Sequence, residues 1–288
     1  MKRFDNKTII LALLRIKKIS SYNKFLIICF WVVIQYILIM VVTIITVVKN
    51  DIENIEKTIN SVYSQNYKQI EHIVIDGNST DGTLKIIKKN KRKLSVIYSG
   101  KDKNLYEGLN KGIKMSSGEI IGILHSGDIY ASKNSIKISL DFIQKNKLDF
   151  VISNLKVINK KKKVYRYVTT SNFFSPFMLS MGIQPPHPTL FIKKKVIEKI
   201  KYYSTDYKVV GDFDFFCKVF KKKIYKWRNL RKTTILQSRG GLSDGNITDK
   251  IAMSKDMSKI LSENNYFFFR SFFICKLLLR IKETILKN

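Results

Sequence analysis

From Val41 onward the chain repeats one pattern four times: a short run of β-branched and other apolar residues, then a segment of helix length. The runs are VVTIITVV (41–48), EHIVID (71–76), LSVIYS (94–99) and GEIIGIL (118–124). Short, nearly unbroken apolar runs are what strands buried on both faces look like. Between them, residues 52–65 carry Ile52, Ile55, Ile59 and Val62 at helical spacing, 80–90 read as a helix opened by Thr80 or Asp81, and 104–116 as a third helix. Strands alternating with helices require right-handed crossovers. The expected fold is therefore α/β: a Rossmann-type, mostly parallel sheet flanked by helices, with small antiparallel additions.

In such open sheets ligands settle at the carboxyl ends of the strands. The first strand ends at Lys49-Asn50-Asp51, the second at Asp76-Gly77-Asn78-Ser79 and the fourth at Ser126-Gly127-Asp128. Any one of these loops has a local explanation, since Asp76 and Asn78 favour turns and Asp81 complements a helix dipole. Three together predict a polar crevice, in which nearby aspartates offer hard oxygen ligands to a divalent cation. Asp128 has a competing role as a helix cap, but Ser132 is the better cap for a helix over 132–146.

The second half is less regular. DFVISNLKVINKKKKVYRYVTT (149–170) reads as two or three strands with a lysine-rich tip at Lys160–Lys163. Gln184-Pro185-Pro186-His187-Pro188 forms a rigid loop before an apolar segment; His187 either belongs to a binding site or packs beneath that loop. In VVGDFDFFCKVF (209–220), Phe213, Phe216 and Phe220 face the core. Asp212 there is either an N-cap or a carboxylate whose apolar surroundings raise its basicity toward a bound hydroxyl. The glycines of SRGGLSDGN (238–246) make a turn or a substrate loop.

VVTIITVVKNDIENIEKTINSVYSQNYKQIEHIVIDGNSTDGT followed by YEGLNKGIKMSSGEIIGILHSGDIY resembles the nucleotide-sugar half of a family-2, inverting glycosyltransferase of GT-A fold. The resemblance runs from about Val41 to Ser243 and is to the transferases that assemble bacterial surface polysaccharides such as colanic acid or O-antigen. It implies that Asp128 holds Mn²⁺ or Mg²⁺ against the donor diphosphate, with Gly127 standing where a second acid is usual. It implies that Asp76 contacts the nucleoside, although Gly77 replaces a common acid and Lys49 a common aromatic. Asn110 and Lys111 match a stretch flanking the nucleotide pocket, and His187 matches an acceptor-side loop. Asp212 matches the catalytic base, with Asp214 in reserve. The implied partners are a nucleotide-sugar donor and a lipid-linked or other saccharide acceptor.

The flanks are of a different kind. Residues 25–48 are apolar enough to cross a bilayer, but if 41–48 form the first strand, only Phe25–Met40 remain, slightly short for a span. Residues 1–40 are thus either an interfacial or re-entrant anchor or an extension upstream of a start at Met40. The expected divisions are 1–40, a glycosyltransferase domain over 41–250 and a basic, amphipathic helical tail over 251–288 that lies in a membrane interface or docks on the domain. A formal net charge of +31 predicts anionic partners. With no helix-turn-helix, zinc-finger or RNA-recognition signature, a membrane surface and a lipid diphosphate account for it better than nucleic acid. The expected location is the cytoplasmic face of the cell membrane. A glycine-rich triphosphate loop is missing after the first strand, against a nucleotidyltransferase. The remaining alternatives are an inactive GT-A-like scaffold, which Gly127 would permit, and a basic nucleic-acid-binding protein.

Overall fold

The computed structural model describes residues 40–159, 163–169, 174–238 and 247–266, the last group without the side chains of 247–251. The expectations for the N-terminal apolar run, most of the lysine tip, the glycine loop and the tail beyond residue 266 fall outside these residues. Contacts divide the chain into Met1–Met40 and Val41–Asn288, and the second unit is described here.

Its elements alternate as the hydrophobic pattern predicts. They are β1 (Val42–Val48), α1 (Ile55–Tyr63), β2 (Ile70–Asp76), α2 (Thr83–Lys89), β3 (Val96–Ser99), α3 (Leu105–Met115), β4 (Ile120–Ile123), β5 (Ile129–Tyr130) and α4 (Ser135–Lys145). Then come β6 (Phe150–Ile158), β7 (Val164–Val168), β8 (Phe191–Lys193), α5 (Lys194–Lys199), α6 (Gly211–Lys221), β9 (Trp227–Ser238) and α7 (Ile247–Glu263). One sheet holds all nine strands, in the order β3-β2-β1-β4-β8-β6-β9-β5 with β7 paired to β6. Strands β3, β2, β1 and β4 are mutually parallel, so their carboxyl ends share one edge. Strand β8 runs antiparallel between β4 and β6 and joins the two halves of the sheet.

Alternation along the central strands supplies both faces. Val48 and Val74 point to α1 and α2, packing with Ile55, Ile59 and Ile87. Ile45, Val47, Ile73 and Ile75 point the other way, to Tyr106, Leu109 and Ile113 of α3 and on to α6 and α7. Helix α6 buries Phe213, Phe215, Phe216, Val219 and Phe220, so four aromatic rings within eight residues make it the apolar anchor of the second half. Cys217 on this helix is buried and free. Among the described residues no helix is long and apolar enough to cross a membrane.

Three local expectations differ from what is found. Ile52 is 44% exposed, because the chain turns before α1 starts at Ile55. Helix α2 begins at Thr83, where the Asp81 carboxylate accepts bonds from the Thr83 amide and hydroxyl (2.9 and 2.6 Å). Ser132 lies three residues before α4, accepting from the Asn134 amide, while the first turn is tied instead by the Ile136 amide donating to Gln65.

Phe150 is fully buried where the halves meet, stacked on Trp227 (5.8 Å between centroids) and edge-on to Phe220 (5.6 Å). Phe150→Ala should cost about 3–5 kcal/mol, from lost transfer energy and an uncollapsed cavity. Urea unfolding followed by circular dichroism reads this as a lower midpoint at unchanged slope.

Candidate active site

The carboxyl edge of β1–β4 collects the polar loops, and hydrogen bonds between loops hold them in place. Asn50, with φ 52°, donates its amide to Ser79 and accepts from the Thr80 amide, while the Asp51 amide donates to the Thr83 hydroxyl. Asp76 at the end of β2 is fully enclosed; its carboxylate accepts from the Ser79 amide (3.2 Å) and the Ser99 hydroxyl (2.7 Å). It therefore fixes the wall of the crevice from within. A side chain on Gly77 would meet the Lys49 stem at 3.4 Å, so the two positions that depart from the family pattern are neighbours.

The fourth loop is the most constrained. Gly127 has φ +92°, which costs a residue with a Cβ more than it costs glycine. The Thr58 hydroxyl of α1 pins this turn at two points, accepting from the Gly127 amide (3.0 Å) and donating to the Asp128 carbonyl (2.9 Å). Asp51 reaches the same place: its Oδ2 accepts from the Ser126 hydroxyl (2.7 Å) and lies 3.9 Å from where a Cβ on residue 127 would stand. A carboxylate thus sits beside the position where the sequence lacks one.

Asp128 itself is 4% exposed. It immediately precedes β5, whose antiparallel pairing with β9 (Ile129 with Leu236) brings Gln237 alongside. Its carboxyl meets the Gln237 side-chain amide at 3.5 Å and the Ser238 backbone, and burial pushes it up to about 7 because these neutral donors only partly replace water. That deficit of positive charge fits a divalent cation. Among the described residues there is no group of three or more histidine, cysteine or acidic side chains able to hold a metal. Asp128 would therefore share an ion with phosphate oxygens and water.

Asp212 reaches this edge from the other half. It is the second residue of α6, half-buried, and burial raises its carboxyl above the usual range. Its Oδ2 accepts from the Gln184 side-chain amide at 2.6 Å, and its Oδ1 from the Phe213 amide at 2.9 Å with the Tyr106 hydroxyl at 3.5 Å. Gly211 is required here, since a Cβ would strike the Tyr106 ring at 2.7 Å. His125 lies near both aspartates: its carbonyl accepts from the Asp128 amide (3.0 Å), and its ring is close enough to Asp212 for the carboxylate to oppose part of the downward push of burial on the imidazole.

The other residues singled out in the sequence take different places. His187 is 5% exposed, its Nε2 2.9 Å from the Tyr203 hydroxyl and its ring stacked on His125 at 5.8 Å; burial pushes it down to about 4, so it is a neutral support beneath His125. Asn110 exchanges both of its amide bonds with the Tyr203 backbone (2.9 and 3.0 Å), clamping α3 to the loop before α6. Lys111 pairs with Asp102 (2.6 Å) and Glu107 (3.2 Å) and lies over the Tyr98 ring. Asp214 points to the opposite side of α6, toward Lys218 (2.6 Å) and Asn264 of the segment after α7. Gln184, His125, Asp51 and Gln237 were not singled out as site residues. His125 and Asp51 stand in the very loops that mark the crevice, whereas Gln237 lies on a strand with no clear alternation.

Comparison with known proteins bears on the family and the fold. Residues 43–228 match the model of glycosyl transferase family 2. The chain belongs to that family. An uncharacterized glycosyltransferase of Mycobacterium tuberculosis is 27% identical over 189 residues, 60% of this chain and 66% of its own length. The Escherichia coli UDP-Glc:alpha-D-GlcNAc-diphosphoundecaprenol beta-1,3-glucosyltransferase WfaP is 27% identical over 223 residues, 76% of this chain and 86% of its own length. Among solved structures, S. aureus TarS 1–349 in complex with UDP-GlcNAc superposes with a TM-score of 0.62 at 21% identity, covering 77% of this chain and 66% of that one. The chain thus spans just under two thirds of the length of the mycobacterial relative.

A carboxyl raised by burial weakens the fold wherever it must ionise. The destabilisation from Asp128 is absent below about pH 4, grows as the pH rises toward 7, and is complete above it. Metal-free Asp128→Asn should therefore match the parent near pH 4 and exceed it by about 2–4 kcal/mol at pH 8. Guanidinium unfolding at the two pH values measures the difference, and added Mn²⁺ should raise the Tm of the parent only.

Proposed function

We propose that this family-2 glycosyltransferase is an inverting enzyme that moves a sugar from a nucleoside-diphosphate donor to a lipid-linked saccharide in surface-polysaccharide assembly, at the cytoplasmic membrane surface. One observation carries the reading: Asp128 and Asp212, 84 residues apart, both lie near His125, just beyond the end of β4. Inversion needs a single displacement, so one base suffices if the acceptor hydroxyl attacks opposite the leaving diphosphate.

A Mn²⁺ or Mg²⁺ ion held by Asp128 supplies charge neutralisation for that leaving group. The remaining roles fall to the chain's own residues. Asp212 Oδ2, in a half-buried pocket, accepts the proton of the incoming hydroxyl; its raised pKa makes it a stronger base than an exposed aspartate. The Phe213 backbone amide holds the other oxygen, Oδ1, at 2.9 Å. The Thr58 clamp fixes the Asp128 turn, so neither group has to be ordered when substrate arrives.

The activity for which WfaP is named, with UDP-Glc as donor and a diphosphoundecaprenol-linked sugar as acceptor, supports a UDP-hexose as the first donor to test and a lipid diphosphate as acceptor class. The net charge of +31 supports an anionic membrane surface.

Asp128→Ala should abolish Mn²⁺-dependent binding of UDP-hexoses, read by calorimetry, together with transfer. Asp212→Asn should leave that binding within about twofold and lower transfer by about 10²–10⁴-fold, the usual worth of a positioned base. The reverse pattern would overturn the role assignment. Donor hydrolysis that is zero with and without Mn²⁺, for every UDP-hexose, would favour the scaffold reading.

A further inference from the structure

Among the groups around Asp212, Gln184 makes the shortest contact to the carboxylate and has no step of its own in the proposed reaction. Its loop is framed by Pro185, Pro186 and Pro188, with the short helical turn His187–Thr189 following directly. Prolines fix φ and remove amide donors, so the loop enters the site with few conformations of its own. At its start the Gln184 amide nitrogen donates to Asp212 Oδ2 at 2.6 Å, a short charge-assisted bond. The opposite amide orientation would set two acceptor oxygens against each other, so the neighbour dictates the assignment. The Gln184 Oε1 is buried and has no hydrogen-bond partner. A buried amide oxygen left unpaired costs about 1–3 kcal/mol, a cost with no compensating bond to Gln184 other than the one to Asp212.

The groups facing Asp212 are few. Gln184 comes from the proline loop, Tyr106 from α3 at 3.5 Å, His125 from the end of β4, and Tyr203, more distant, from the loop before α6. Tyr106 already gives its proton to the Val209 carbonyl at 2.5 Å, and His125 is pushed down to about 4 by burial and so is neutral. Gln184 at 2.6 Å is the donor closest to the carboxylate, nearer than the Phe213 backbone amide at 2.9 Å.

We propose that Gln184 is a positioning residue for the proton-accepting carboxylate: its amide orients Asp212 toward the acceptor hydroxyl and favours the ionised form through a short hydrogen bond. This rests on the reading of Asp212 as the base. A carboxylate buried among Tyr106, His125 and Tyr203 without that donor would hold its proton to higher pH and rotate away from the crevice. The neutral amide suits this role better than a cation, because a lysine or arginine here would hold Asp212 ionised so firmly that it would no longer accept a proton.

The test reads Asp212 directly, and only its transfer control needs an acceptor. In protein labelled with ¹³C at the aspartate carboxyl carbons, the Asp212 resonance is assigned by its loss in Asp212→Asn and titrated from pH 3 to 9. Gln184→Met should move its midpoint upward by about one to two pH units, the equivalent of a hydrogen bond to a charged group. Gln184→Glu, which sets a second carboxyl against the first, should move it further. Gln184→Asn, with the amide one methylene short, should fall between parent and Met. Mn²⁺-dependent UDP-glucose binding should stay within about twofold in each variant that folds, and a variant that fails to bind is replaced in the comparison by the next. An Asp212 midpoint that is the same in the parent and in all folded variants would overturn the proposal. If Asp212→Asn retains transfer while Gln184→Met shifts the midpoint, the base reading fails and the positioning contact stands. If Asp212→Asn is inactive and the midpoint does not move, only the role of Gln184 fails.

Discussion

A carboxylate closed off from water with too little positive charge around it is the condition to which the site answers. Asp128 could have been solvated at the rim of the sheet; instead β9 pairs with β6 as far as Ser238 and with β5 on its other edge, bringing Gln237 and Ser238 to the aspartate. The Thr58 clamp then denies the loop the freedom to turn the acid outward. On the proposed function, a cation and a diphosphate would offset at neutral pH the cost of burying this acid.

The two halves are coupled through side chains rooted in α3. Asn104 caps that helix with its Oδ1 and donates through Nδ2 to the Thr205 and Tyr207 carbonyls. Asn110 exchanges bonds with the Tyr203 backbone, and Tyr106 donates to the Val209 carbonyl while its ring rests on Gly211. Three residues on one helix thus set where α6 begins, and with it the position of Asp212. The stretch around Asn110 thus ties the first half of the sheet to the start of α6.

Much of this was legible in the sequence because it rests on local signals. The four parallel strands announced themselves by apolar runs, and the crevice by turn residues at the strand ends. The apolar setting of Asp212 followed from the phenylalanines around it. What stayed hidden depends on long-range pairing. Strand β9, WRNLRKTTILQS, mixes basic and apolar residues because its faces are covered unevenly, so Gln237 gave no sign of meeting an acid 109 residues earlier. Strand β8 is three residues long, and β5 two. The destination of Asn110 was equally invisible, since helical spacing says which face a residue is on but not what the fold brings against it; the pairing of Asp214 with Lys218, four residues on, is by contrast one that helical spacing gives. Asn110 met a backbone, and Asp214 met Lys218 one turn along its own helix.

The central claim is that one crevice serves both carboxylates. A crystal structure with Mn²⁺ and a non-hydrolysable UDP-hexose tests it most directly. The account predicts an Asp128 oxygen on the metal at about 2.0–2.2 Å, bridging to the diphosphate, with the Asp212 carboxylate facing the anomeric carbon across open space on the side away from the diphosphate. A metal bound away from Asp128, or a sugar walled off from Asp212 by protein, would contradict it.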